Sequence, residues 1–201
     1  MEEMDLNKVI EKVQTGDLSA TMLKKIVAFE KKAKSPELAY EIACVTNGET
    51  RKQMEDIVLK QKNPLVCAMF ASDIYPHVDI EKHKKIIFAS KDPEAICYFI
   101  NRINPTKAEL EKAQKIIVDL KDPKWAFEFA DSVTGANIDL LAKIVIDSKD
   151  EKYIKLFRDG MNSWSEVDDA TLLRLNKKFN LAHGRQIKAM RKHTPTDELS
   201  K

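Results

Sequence analysis

Lys121-Asp122-Pro123-Lys124-Trp125-Ala126-Phe127-Glu128-Phe129-Ala130 holds the pattern that decides the fold. An aspartate followed by proline and then an apolar periodicity reads as the start of a helix. The Asp side chain accepts the orphan backbone N–H groups of the first turn, and Pro at the first helical position gives up an N–H that had no partner there. The same phrase recurs as Lys34-Ser35-Pro36-Glu37, Lys62-Asn63-Pro64-Leu65 and Lys91-Asp92-Pro93-Glu94, and once without the proline as Lys149-Asp150-Glu151-Lys152. Successive copies lie 28, 29, 30 and 28 residues apart.

Apolar columns follow each start at helical spacing. The first runs Leu38, Val66, Ala95, Trp125 and Tyr153, the next Ala39, Cys67, Ile96, Ala126 and Ile154. Then come Ile42, Phe70, Phe99, Phe129 and Phe157, and finally Ala43, Ala71, Ile100 and Ala130, ending in Arg158. These positions share one broad face of a helix of about nine residues at 3.6 residues per turn. Asn47-Gly48, Tyr75-Pro76, Asn104-Pro105, Gly135-Ala136-Asn137 and Gly160-Met161-Asn162 read as breakers. A second helix starts after each, once with Thr106 and Glu109 spaced as a capping box. Its columns are Ile80, Leu110 and Ile138; Met54, His83, Ala113 and Leu141; Ile57, Ile86, Ile116 and Ile144; and Val58, Ile87, Ile117 and Val145.

Extending the pattern backward places Leu6, Val9, Ile10 and Val13 on a leading helix and Leu23, Ile26 and Phe29 on its partner. Forward, residues Ser165 to about Asn180 read as a further second helix. The expected fold is all-α, a right-handed solenoid of about six two-helix repeats over residues 1–180, with a basic C-terminal capping helix over 181–193 and a disordered tail over 194–201. No unit can bury its apolar face alone, so neighbours must stack.

Two helices per repeat of this length, with Asp-Pro starts and Ala/Phe columns, resemble the short HEAT-like and TPR-like helical arrays. The chain also resembles uncharacterised bacterial and phage repeat proteins, best over Asp122 through Asp147 with its Phe129-Ala130 and Gly135-Ala136-Asn137-Ile138. The resemblance covers about residues 35 to 160 and implies an architecture but no catalytic residue. A phage origin would imply inhibition of a host or defence protein.

Composition agrees. Of 201 residues, 34 are Lys or Arg and 32 Asp or Glu, and mean hydropathy is -0.40. No run of about 18 uncharged apolar residues exists, and Met1 to Leu6 is acidic, so a cytoplasmic protein without a membrane partner is expected. Cys44, Cys67 and Cys97 form no CxxC and read as small core residues. The glycines at 16, 48, 135, 160 and 184 are too scattered for a phosphate-cradling loop, and no cofactor is expected.

Function is sought where residues break the repeat. Helical geometry turns Glu41, Met69, Tyr98, Glu128 and Leu156 away from the core columns. Leu65, Met69 and Tyr98 would then form an exposed apolar patch across adjacent repeats, suited to a protein partner. Residues 171 to 193 hold Arg174, Lys177, Lys178, Arg185, Lys188, Arg191 and Lys192 and no acid, so the rest of the chain sums to -5. That end is a candidate anion-binding surface for nucleic acid or an acidic protein, or a polar cap whose cations complement its own helix dipole. The lysines at 34, 62, 91, 121 and 149 sit after each second helix, where a cation meets the negative end of the dipole.

Catalysis finds little support. Asp73 with His77, and Asp79 with His83, are each four apart, but Pro76 interrupts them and His83 stands in an apolar column, so a partly buried, hydrogen-bonded histidine is expected rather than a metal ligand. Trp125, Asp131 and Trp164 fit poorly the aromatic and acidic residues of HEAT-like DNA glycosylases, because Trp125 belongs to a core column. The expectation is a non-enzymatic protein-binding array, an adaptor or an inhibitor by surface occlusion, with nucleic-acid binding through the basic helix as the alternative.

Overall fold

The computed structural model of the protein describes residues 6–16, 19–161 and 170–180. The helix expected over 181–193 and the tail expected over 194–201 lie outside these residues. Among the described residues all regular structure is α-helical. The first members of the pairs are α1 (Leu6–Gln14), α3 (Pro36–Val45), α5 (Pro64–Asp73), α7 (Pro93–Arg102), α9 (Pro123–Ser132) and α11 (Glu151–Met161). The second members are α2 (Ala20–Ala33), α4 (Gly48–Gln61), α6 (Ile80–Ser90), α8 (Lys107–Leu120), α10 (Ile138–Ser148) and α12 (170–180).

The helix starts are as the sequence dictates. Ser35, Asn63, Asp92, Asp122 and Asp150 each accept a first-turn backbone N–H, for Asp122 from Lys124 at 2.8 Å. Thr106 and Glu109 form the reciprocal capping box. The other ends hold a surprise. Lys34, Lys62, Lys91, Lys121 and Lys149 all take the left-handed conformation, with φ between 53° and 61°. Glycine usually fills that position because a Cβ costs about 1–2 kcal/mol there. The strained turn lets the Lys34, Lys62, Lys121 and Lys149 backbone N–H groups close on carbonyls of the preceding helix, at 2.8 to 3.3 Å. The lysines thus serve through their backbone as well as their charge.

The chain divides into two compact units between Asn104 and Pro105. The sequence pattern, continuous to residue 180, gives no sign of that division, which falls inside the α7–α8 connection. In the first unit α1, α3, α5 and α7 pack in succession as one row, α4 lies against α3, α5 and α6, and α6 against α5 and α7. In the second unit α9 packs on α8, α10 and α11, and α10 also touches α8 and α11.

Each unit has its core where first helices meet second helices. Ile42, Phe70, Phe99, Phe129 and Phe157 are completely buried, as are Met54, His83, Ala113 and Leu141 and also Val58, Ile87, Ile117 and Val145. Phe179 of α12 is buried against Phe157, with ring centroids 5.7 Å apart. Some expectations need correction. Trp125 and Tyr153 are half-buried, and their rings carry the Lys124 and Lys152 ammonium groups at 4.3 and 5.0 Å. Cys44 is exposed, whereas Cys67 and Cys97 are buried. Gly160, read as a breaker, lies inside α11, which continues to the buried Met161. One missing methyl group costs a helix about 1 kcal/mol, less than burying a methionine returns.

One polar device repeats in both units. Glu55 and Gln114 follow the buried Met54 and Ala113, and each accepts the backbone N–H of the residue capping the next second helix. Glu55 takes it from Asp79 at 2.9 Å, Gln114 from Asn137 at 2.6 Å. A different acid is buried without such a reward. Glu30 on α2 is fully buried and neither carboxyl oxygen has a hydrogen-bond partner of good geometry. Burial raises its pKa to about 7, Glu37 adds to the rise, and the backbone of Ser35 offsets only part of it.

Two stability measurements follow. Lys62→Gly and Lys121→Gly should each stabilise by about 0.5–1 kcal/mol, and Asp122→Ala should cost about 1 kcal/mol, read from urea denaturation. Between pH 4.5 and 7 the native state keeps a proton on Glu30 that the unfolded chain releases, so this group makes stability fall as pH rises through that window. Glu30→Gln should therefore be near neutral at pH 4 and stabilising by about 1–3 kcal/mol at pH 8, a difference that a Tm comparison at the two pH values would reveal.

Candidate protein-interaction surface

The row formed by α3, α5 and α7 in the first unit positions the candidate surface. Leu65, Met69 and Asp73 are four residues apart on α5 and so line one face. The same spacing sets Tyr98 above Arg102 on α7 and Tyr40 above Cys44 on α3. The three helices converge on one carboxylate. The Tyr40 and Tyr98 hydroxyls both donate to Asp73 Oδ2, each at 2.8 Å. Arg102 Nε stands 3.8 Å from Asp73 Oδ1, and its guanidinium lies over the Tyr98 ring, 3.8 Å from the centroid.

These contacts change the character of the patch. Leu65, Met69 and Tyr98 lie on adjacent helices as expected, but each is half-buried rather than exposed. Tyr98 leans across to α5 because its hydroxyl is tied there. Tyr40 is anchored from below, its ring meeting the buried Phe70 edge-on at 6.4 Å and 63°. Phe70 in turn stacks on His83 at 5.4 Å. Desolvation and the Asp73 carboxylate raise both phenol pKa values, that of Tyr98 to about 12. The cysteine beside Tyr40 is also pushed up, first by desolvation, then by the Glu41 and Asp73 carboxylates, against the pull of Tyr40 and Arg51.

Asp73, Arg102 and Tyr40 were missed as parts of this surface. A signal for two of them existed, because Asp73 and Arg102 occupy the same repeat position on neighbouring helices, where opposite charges invite a pair. Tyr40 gave none, being one residue out of register with Tyr98.

The histidine and carboxylate positions do not assemble. Asp73 is taken by the tyrosines. His83 is fully buried and its Nε2 meets Glu55 Oε1 at 3.3 Å, while its Nδ1 has no partner. Desolvation holds the His83 pKa below its usual value, although the nearby Glu55 opposes this. Among the described residues no three His, Cys, Asp or Glu side chains are grouped to hold a metal ion, and no helix is long and apolar enough to cross a membrane.

The expected anion-binding set is described only in part. Arg174 on α12 donates to Asp139 Oδ2 of α10 at 2.7 Å, so it fastens two helices. Lys177 and Lys178 are exposed on the same helix. Arg185, Lys188, Arg191 and Lys192 lie outside the described residues, as does Trp164, while Asp131 is exposed at the end of α9.

The thiols report directly on the arrangement. Alkylation of native protein should modify Cys44 first, with a rate that goes on climbing above pH 9 because its pKa is raised, and should reach Cys67 and Cys97 only in denaturant. Peptide mass spectrometry would read this, and equal reactivity of all three would contradict the burial. Comparison of the chain with protein-family models, with curated proteins and with solved structures found no significant match.

Proposed function

We propose that this helical-repeat chain is a non-enzymatic protein-binding module, acting as an adaptor or by occluding a partner's surface, and that the α3–α5–α7 face of its first unit makes the contact. The observation that carries this reading is the pair of tyrosines fixed on Asp73 beside Leu65 and Met69. Tyrosine gives large amphipathic contact area with few torsions to freeze, and one already held by a hydrogen bond loses less freedom when a partner docks. Met69 supplies an adaptable apolar neighbour.

The same groups make poor catalysts. Both phenols donate to Asp73 Oδ2 and the Arg102 guanidinium faces its Oδ1 at 3.8 Å, so this carboxylate is not a free base, and the tyrosine and Cys44 pKa values are shifted away from the ionised, nucleophilic forms. Inhibition of a host or defence protein by a phage-encoded chain is the setting that the resemblance to phage repeat proteins suggests.

Affinity recovery from native lysate, with wild type beside Met69→Asp plus Tyr98→Asp, tests the assignment. Partners captured by wild type should be depleted at least about tenfold by the double variant, a loss of about 1.4 kcal/mol in binding. Circular dichroism would confirm that the variant remains helical. Undiminished recovery of every partner would place the interaction elsewhere.

A further inference from the structure

The two sides of the first unit carry opposite charge. Helices α3, α5 and α7 contain no lysine, and Glu37, Glu41, Asp73 and Glu94 outnumber their one cation, Arg102, for a formal charge of -3. Helices α2, α4 and α6 sum to +5, and the left-handed lysines at 34, 62 and 91 add to them. The apolar positions of the interaction surface therefore lie within an acidic field. Helix α1, at the end of the same row, contributes only +1.

The chemistry of this face is already exercised inside the molecule. Arg102, 46% exposed, rests its guanidinium on the Tyr98 ring while facing Asp73. On the opposite flank of Asp73 stands Tyr40, with Glu41 beside it and no cation on its own helix. Both Glu41 and Asp73 are close enough to Cys44 to raise its pKa. Tyr40, Glu41 and Asp73 thus form a second half-site of aromatic ring and carboxylates beside Cys44, and Arg51 of α4, whose charge also reaches Cys44, is committed to the backbone carbonyls of Ala43 and Thr46.

We infer that the occupant of the α3–α5–α7 face is a basic amphipathic segment of a partner protein. Its apolar side chains would pack on Leu65 and Met69, and an Arg or Lys would be received between Tyr40 and the Glu41 and Asp73 carboxylates. Cation–π and carboxylate contacts there reinforce each other, and the -3 field steers a cationic chain to this side of the unit and away from the basic one. This rests on the reading of the face as a protein-binding surface and adds the chemical class of its partner.

Cys44 makes the test site-specific, being the exposed thiol of the three and lying within the proposed half-site. Its alkylation is followed at pH 8.5 on the full chain, with two synthetic 18-residue amphipathic helices of identical apolar face. One carries Lys and Arg on its polar face, the other Glu. The basic helix should slow Cys44 alkylation at least about fivefold, and the acidic helix should leave it unchanged. Protection should weaken about tenfold in affinity in Glu41→Gln plus Glu94→Gln, and decline from 50 to 300 mM salt. Should Glu41→Gln disturb the Gln14 contact it makes, Glu94→Gln alone, on an exposed side chain, should still weaken protection. Equal protection by both helices would overturn the charge assignment and leave the protein-binding reading standing. Protection by neither would overturn the inference, whereas loss of lysate partners in the Met69 and Tyr98 double variant would still uphold the surface.

Discussion

A helix of ten residues does not hold itself together in water. Nucleation fixes several residues before the first hydrogen bonds are gained, so segments as short as α3, α5, α7 and α9 persist only if one face is buried against something else. Everything in this protein answers that constraint. The buried phenylalanines at 70, 99, 129 and 157 supply the apolar area, and the Asp, Asn or Ser caps with their following proline set the direction in which each short helix leaves its turn. The second helices, up to fourteen residues long, provide the facing wall.

With the interior filled by repetition, individuality is left to polar side chains that reach between helices. In the first unit these form a connected path: Glu55 to His83, His83 against Phe70, Phe70 against Tyr40, and Tyr40 to Asp73 and so to Tyr98 and Arg102. A buried histidine in a column otherwise apolar is thereby linked through one core ring to the outer face. The arrangement fixes the tyrosines without a loop, on helices whose own positions are fixed by packing.

The all-helical repeat was legible in the sequence because period, cap and core column coincide in every copy. A phenylalanine three residues past the Cys67, Ile96, Ala126 and Ile154 column must face inward whichever copy it belongs to. The Asp73 cluster was not legible as a whole, because its bonds join residues from different register positions on three helices, and only the tertiary rotation of each helix decides whether a tyrosine reaches its neighbour. The lysine turns were read as electrostatic when their backbone geometry is what repeats; a lysine in the left-handed region leaves no mark in hydrophobic periodicity. The break between Asn104 and Pro105 is invisible for a related reason, since the apolar columns continue on both sides of it.

The left-handed lysines have a further consequence for how such a chain can change in length. Between a second helix and the following first helix there are always two residues, the lysine and the cap: 34–35, 62–63, 91–92, 121–122 and 149–150. Among the connections within pairs that lie in the described residues, the length varies from the two residues 46–47 to the six residues 74–79. Insertions and deletions have one place to be absorbed and another where they are refused, because an extra residue beside the lysine would turn the next capped helix out of its column. The joints between pairs are thus the rigid points of this architecture, and the connections inside each pair are where new sequence can be admitted.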